Sequence, residues 1–164
     1  MSAVVLLDTS IYLNVLDVPD NNQDRLVVLK EFAQKVASKD HFLLPLATIL
    51  ETGNHIADLN TGGNRRKYAE KLVDDVTSAL SGVAPYQPTQ FPTRDEFLKW
   101  LKVFPEYAMR NKTAKKIKEE GVSLSDLSII KEWERTCELH SARRVLIWSL
   151  DSDLSSYDKR PNIA

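Results

Sequence analysis

Apolar residues come in two kinds of run along this chain. Val4–Leu7 ("VVLL") and Val145–Trp148 ("VLIW") are short, unbroken and without polar alternation, as expected of strands buried on both faces. A third run near Phe42–Leu44 reads the same way, with Pro45 ending it or opening the next helix. Elsewhere apolar residues return every three or four positions, the helical period. "TSIYLNVLD" from Thr9 predicts a short helix capped by Thr9 or Ser10. Leu26, Leu29, Phe32, Ala33 and Val36 predict a second helix from Asp24. Ile49, Leu50, Ile56 and Leu59 predict a third, closed by "NTGG" at 60–63.

"NRRKYAEKLVDDVTSALSG" predicts an amphipathic helix ending at Gly82. "VAPYQPTQFPTR", rich in proline, reads as an extended connector. Two more helices follow from "DEFLKWLKVF" and "EYAMRNKTAKKIKEEG", broken at Pro105 and stopped by Gly121. "VSLSDLSIIKEWERTCELHSA" predicts a long helix with Leu127, Ile130, Trp133 and Cys137 or Glu134 on one side. Strands separated by helices favour an α/β fold with a mostly parallel sheet, whose sites lie beyond the carboxyl ends of the strands.

Composition narrows the class. A chain of 164 residues fits one domain with a substantial core. Lys+Arg 22 against Asp+Glu 23 gives a net charge of −1, so bulk charge announces neither nucleic acid nor membrane, though local patches can hide within it. Cys137 is the single cysteine, which excludes an intrachain disulfide and a thiolate-rich zinc site. No basic segment followed by a long apolar run opens the chain, and no window approaches the roughly 20 apolar residues of a membrane span. The expectation is a soluble, cytoplasmic protein with no membrane partner.

Four acids stand where solubility does not need them. Asp8 and Asp151 end apolar strands; Glu51 follows "PLATIL" in the third helix, and Asp126 lies in the first turn of "SLSDLSII". Each has a purely structural reading. Asp8 could accept N–H groups from the helix it precedes, Asp126 could pair with Ser123 in a capping box, Glu51 could favour the helix dipole, and Asp151 and Asp153 could shape a turn. As a set they are the hard oxygen donors that Mg²⁺ or Mn²⁺ prefers, and without a cation their mutual repulsion would raise at least one pKa. His55, four residues after Glu51, reads as a surface or supporting histidine; Cys137 and Trp133 read as core.

In order and context, "LLDTS" at 6–10, "LPLATILETGNHI" at 44–56, "SLSDLSII" at 123–130 and "VLIWSLDSDL" at 145–154 resemble the PIN domain family of metal-dependent ribonucleases, most of all its bacterial VapC-type toxin branch. The resemblance implies a three-layer α/β/α sandwich with a short, mostly parallel central sheet. It also implies a catalytic, metal-binding set of Asp8, Glu51, Asp126 and Asp151 around Mg²⁺ or Mn²⁺, with Ser10, Ser149 and Asp153 as auxiliaries. The implied activity is endoribonucleolytic hydrolysis of single-stranded or structured RNA such as tRNA or mRNA. In that branch the enzyme is silenced by a cognate antitoxin and homodimers are common; the "VPDNNQD" loop and first two helices are the partner surface to examine.

The chain departs from the family in two places. Segment 53–122 is longer than a compact toxin needs, suggesting a helical insertion within 60–122 of a single domain spanning 1–164. After Asp151 the sequence is too polar for a robust final strand. Basic clusters put Arg65, Arg66, Lys115 and Lys116 forward as RNA contacts, against the alternative of a solvated face beside Glu70, Glu119 and Glu120. Tyr68 and Tyr107 could stack on bases. Two other functions stay open. One is a non-catalytic PIN-like binding module. The other is a small-molecule phosphatase of the haloacid-dehalogenase kind, which needs a second aspartate where Ser10 stands. A dinucleotide-binding domain is disfavoured, because no Gly-rich turn follows the first strand.

Overall fold

A computed structural model describes residues 2–110 and 120–161. Three of its strands fall where the apolar runs place them: β1 (Val4–Leu7), β2 (His41–Leu44) and β4 (Val145–Trp148). Two shorter strands, β3 (Tyr86–Pro88) and β5 (Asp158–Lys159), complete a sheet of order β3-β2-β1-β4-β5. The first four run parallel and β5 is antiparallel to β4.

The alternation of side chains explains why β1 and β4 are apolar throughout. Val5, Leu7, Leu146 and Trp148 enter one core with Tyr12, Val28, Phe42 and Leu44. Val4, Leu6, Val145 and Ile147 enter a second core with Ile129, Ile130 and Cys137. The first face is covered by α1 (Thr9–Val15), α2 (Arg25–Ala37), α3 (Leu46–Ala57) and α4 (Gly62–Leu80). The second is covered by α6 (Leu124–Leu139), with α5 (Arg94–Ala108) packed on α6 and the short α7 (Ser152–Ser155) against β4. The result is a mixed α/β, PIN-like three-layer sandwich, with a mostly parallel five-stranded sheet flanked by seven helices among the described residues. None of those helices is long and apolar enough to cross a membrane.

Several elements differ from the sequence expectation. Asp8, rather than Thr9 or Ser10, occupies the N-cap of α1, and no side chain caps that helix. On α2 the expected stripe is not the buried one. Val28 is buried and Phe32 packs partly against the core, whereas Leu26 is 86% exposed. "NTGG" does not close α3. Thr61 caps α4, accepting from the Asn64 N–H, and Gly62 begins that helix.

The proline-rich connector contains β3, an edge strand short enough to tolerate Pro88. Helix α5 runs through Pro105 and ends three residues later. Most of the further helix expected after it falls outside the described residues. At Gly121 a Cβ would collide with the Ala108 carbonyl, so a glycine lets the chain return against the end of α5.

Candidate functional site

The chain runs β1 to β2 to β3 on one side of β1, then crosses to its other side to lay down β4. Strand order therefore reverses between β1 and β4, and open sheets of this kind bind ligands beyond the carboxyl ends at that point. Asp8 follows β1 and Ser149 follows β4, directly at the reversal.

The Asp8 carboxylate is buried and its Oδ2 accepts two hydroxyls, from Ser149 at 2.6 Å and Ser10 at 2.9 Å. Neither hydroxyl serves it alone. Ser10 Oγ accepts the Leu150 N–H at 3.0 Å and Ser149 Oγ accepts the Asp151 N–H at 2.9 Å. The two serines thus lock the turn after β4 onto the turn after β1 and fix where the carboxylate points. The capping alternative for Asp8 does not hold, since its side chain accepts no N–H from α1.

Helix α3 is tied to the same strand end. Thr48 Oγ1 donates to the Leu7 carbonyl at 2.7 Å, entirely buried, and one turn later Glu51 Oε2 accepts from Thr9 Oγ1 at 3.1 Å. Burial pushes the Glu51 carboxyl above its ordinary pKa. The Thr9 hydroxyl opposes that, the Asp126 and Asp8 charges reinforce it, and His55 opposes it. Glu51 thus lies within electrostatic reach of both Asp126 and Asp8. Asp126 enters from the first turn of α6, whose N-cap Ser123 accepts the Asp126 N–H at 3.1 Å, so half of the anticipated capping box forms. Asp151 caps α7 by accepting the Asp153 N–H at 2.8 Å, so its turn-shaping role is also present.

All four acids line one open cleft of about 470 Å³, with Ser10, Thr9, His55 and Ser123. Its far wall is the loop after α1, which contributes Asn21, Gln23 and Asp24. Asn14 holds that wall. Its Nδ2 donates to the Ser10 carbonyl at 2.8 Å and its Oδ1 accepts the Asp24 N–H at 3.1 Å. Sequence reasoning missed Thr9, Thr48, Asn14 and the amide-lined wall. The spacing Thr48–Glu51 and Ser10–Asn14, three and four residues on a helix, is the signal that could have found two of them.

Other expected residues lie elsewhere. Asp153 is in the first turn of α7 and does not line the cleft. Arg65 Nη1 donates to the Leu59 carbonyl at 2.7 Å, while Arg66 pairs with Glu70 at 2.9 Å on the exposed face of α4. Neither reaches the cleft, and the solvated-face alternative describes Arg66. Lys115 and Lys116 fall outside the described residues. Tyr68 packs partly against the core, with Lys67 5.4 Å from its ring centroid.

In donor chemistry the cleft fits a hard divalent cation: four carboxylates, with hydroxyls to orient them. In spacing it is not a closed cage. Among the described residues no group of three or more His, Cys, Asp or Glu stands close enough to hold an ion by itself.

Fold and cleft together define an α/β sandwich carrying an acidic cleft at its topological switch point. Solved structures carry the same fold. FitAcB from Neisseria gonorrhoeae aligns with a TM-score of 0.51 and 17% identity, covering 93% of this chain and 90% of that one. FitAB bound to an IR36 DNA fragment aligns with a TM-score of 0.51 and 19% identity, covering 93% and 89%. No protein-family model matches the chain, and no curated protein does either.

Proposed function

We propose that this protein is a PIN-like, Mg²⁺- or Mn²⁺-dependent endoribonuclease that hydrolyses phosphodiester bonds of RNA, and that it is the toxin of a toxin-antitoxin pair. The observation that carries the reading is the convergence of Asp8, Glu51, Asp126 and Asp151 on one cleft at the reversal of strand order. The sequence resemblance names the same four acids. The likeness to the FitAB structures supports the fold, and one of those was solved with DNA.

In this reading Asp8, Asp126 and Asp151 would hold the cation, with Glu51 completing the set. Bound there, the cation supplies charge neutralisation for phosphate and a more acidic water. Ser10 and Ser149 keep Asp8 Oδ2 oriented, so little reorganisation remains when the substrate arrives. As the alternative to completing the set, Glu51, with Oε2 held by Thr9, would orient the attacking water. A cleft open to solvent supports a polymeric substrate such as RNA over a small molecule enclosed by the protein.

A non-catalytic binding module is the second reading, favoured because the described residues include no closed ligand group. Labelled single-stranded RNA incubated with the purified chain and Mn²⁺ or Mg²⁺, beside EDTA and Asp8→Asn, separates the two. Metal-dependent cutting abolished by the substitution is expected. Intact RNA together with no metal binding by calorimetry would sink the nuclease and leave the module.

A further inference from the structure

One acid of the core takes no part in the cleft. Glu132, in the middle of α6, is fully buried, and burial raises its carboxyl from 4.5 to about 7. Its Oε2 accepts a single hydrogen bond, from Thr89 Oγ1 at 3.0 Å, and its Oε1 has no partner among the described residues. Thr89 sits just past β3, where its N–H donates to the Leu44 carbonyl at 3.0 Å. On its outer side Thr89 lines a separate cleft of about 480 Å³ with Leu80, Gln87, Gln90 and Phe91. One hydroxyl therefore stands between an undersatisfied carboxyl and an opening to solvent.

Charged groups around it do little to support an ionised form. The Thr89 hydroxyl and, after it, Arg135 one turn along α6 pull the Glu132 pKa back down without cancelling the effect of burial, and the Arg135 guanidinium also meets Glu96 of α5 at 3.3 Å and the Gln90 carbonyl. From β3 the titratable side chain is Tyr86, committed to Asp75. On α3 they are Glu51 and His55, both in the acidic cleft, and β4 carries none. Lys131 and Glu134, its neighbours on α6, pair with each other at 2.8 Å. An ionised carboxylate in such a place costs several kcal/mol unless something solvates it.

We propose that Glu132 and Thr89 form a proton-operated latch: neutral Glu132 holds the β3–α5 connection down on α6, and ionised Glu132 draws water in through the outer cleft and releases it. The latch is independent of what the acidic cleft does. Because the folded carboxyl holds its proton more tightly than the unfolded one, its stabilising contribution is complete below about pH 4.5. It falls as pH rises and is gone by about pH 7.

Urea unfolding of the whole chain from pH 4.5 to 8, beside Glu132→Gln, tests this. The unfolding constant of the wild type relative to the variant should rise by about 140-fold across that range. Parallel curves would overturn the latch. A second measurement covers a variant that fails to fold: the ¹³C shift of the Glu132 carboxyl in the wild type, with amide exchange at Thr89 and Gln90. A midpoint near neutrality, with exchange accelerating above it beyond intrinsic base catalysis, is expected. A midpoint in the ordinary carboxylate range, or exchange at those amides that ignores the titration, would refute it.

Discussion

Asp8 shows how much of a site is built by residues that carry no charge. A buried carboxylate must be hydrogen-bonded or neutralised, and Ser10 and Ser149 supply hydroxyls to one oxygen of it. Replacing Ser149 by Ala removes a donor to Asp8 and the acceptor of the Asp151 N–H at once. Stability should fall by about 1–3 kcal/mol in urea titrations. On the proposed function, Mn²⁺ affinity by calorimetry should fall about 10–100-fold, the usual cost of losing an orienting partner. Glu51 titrates for a different reason. Burial and its acidic neighbours raise it, so it contributes stability at low pH that is lost as pH rises through its elevated folded value. Glu51→Gln should therefore flatten the wild-type decline in stability just above the ordinary carboxylate range.

Elements place those residues by a few specific bonds. Thr48→Val keeps the shape of the side chain and deletes the buried bond that pins α3 to the end of β1. A loss of about 1–2 kcal/mol is expected by chemical denaturation, with Glu51 the first acid to move. Outside the lining of the cleft, α5 starts with a complete capping box between Thr93 and Glu96, and Thr93→Ala should cost about 0.5–2 kcal/mol of thermal stability. These contacts also mark what could be read in advance. The apolar runs of β1 and β4 were legible because burial on both faces leaves no room for polar residues, and the acids at their ends followed from the parallel sheet. Strand β3 was not legible, because Pro85, Pro88 and Pro92 look like a linker until an edge strand is known to lie beside β2. Nor was the buried face of α2: Leu26, Leu29 and Val36 have helical spacing, yet the helix turns Val28 toward the sheet. Thr9 left no trace because its role depends on Glu51, a partner 42 residues away that only the fold supplies.

For the whole molecule, the arrangement of acids ties stability to occupancy. On the proposed function a divalent cation relieves repulsion in the folded state and finds no such cluster in the unfolded one. At about a hundred times its dissociation constant it should add about 2.7 kcal/mol. Calorimetric scans with Mn²⁺ should show a rise in Tm that Asp126→Asn diminishes, whereas an unchanged Tm would count against a cation in the cleft.

The pairing of β1 with β4 has a further meaning for the order in which the protein is made. Asp8 leaves the ribosome 141 residues before Ser149, whose hydroxyl orients it. A chain cut short before Val145 would carry Asp8, Glu51 and Asp126 while lacking β4, Ser149 and Asp151. On the proposed function, such a fragment holds three of the four acids without the strand that orients the first of them, so cutting of RNA should wait until β4 is made and paired with β1.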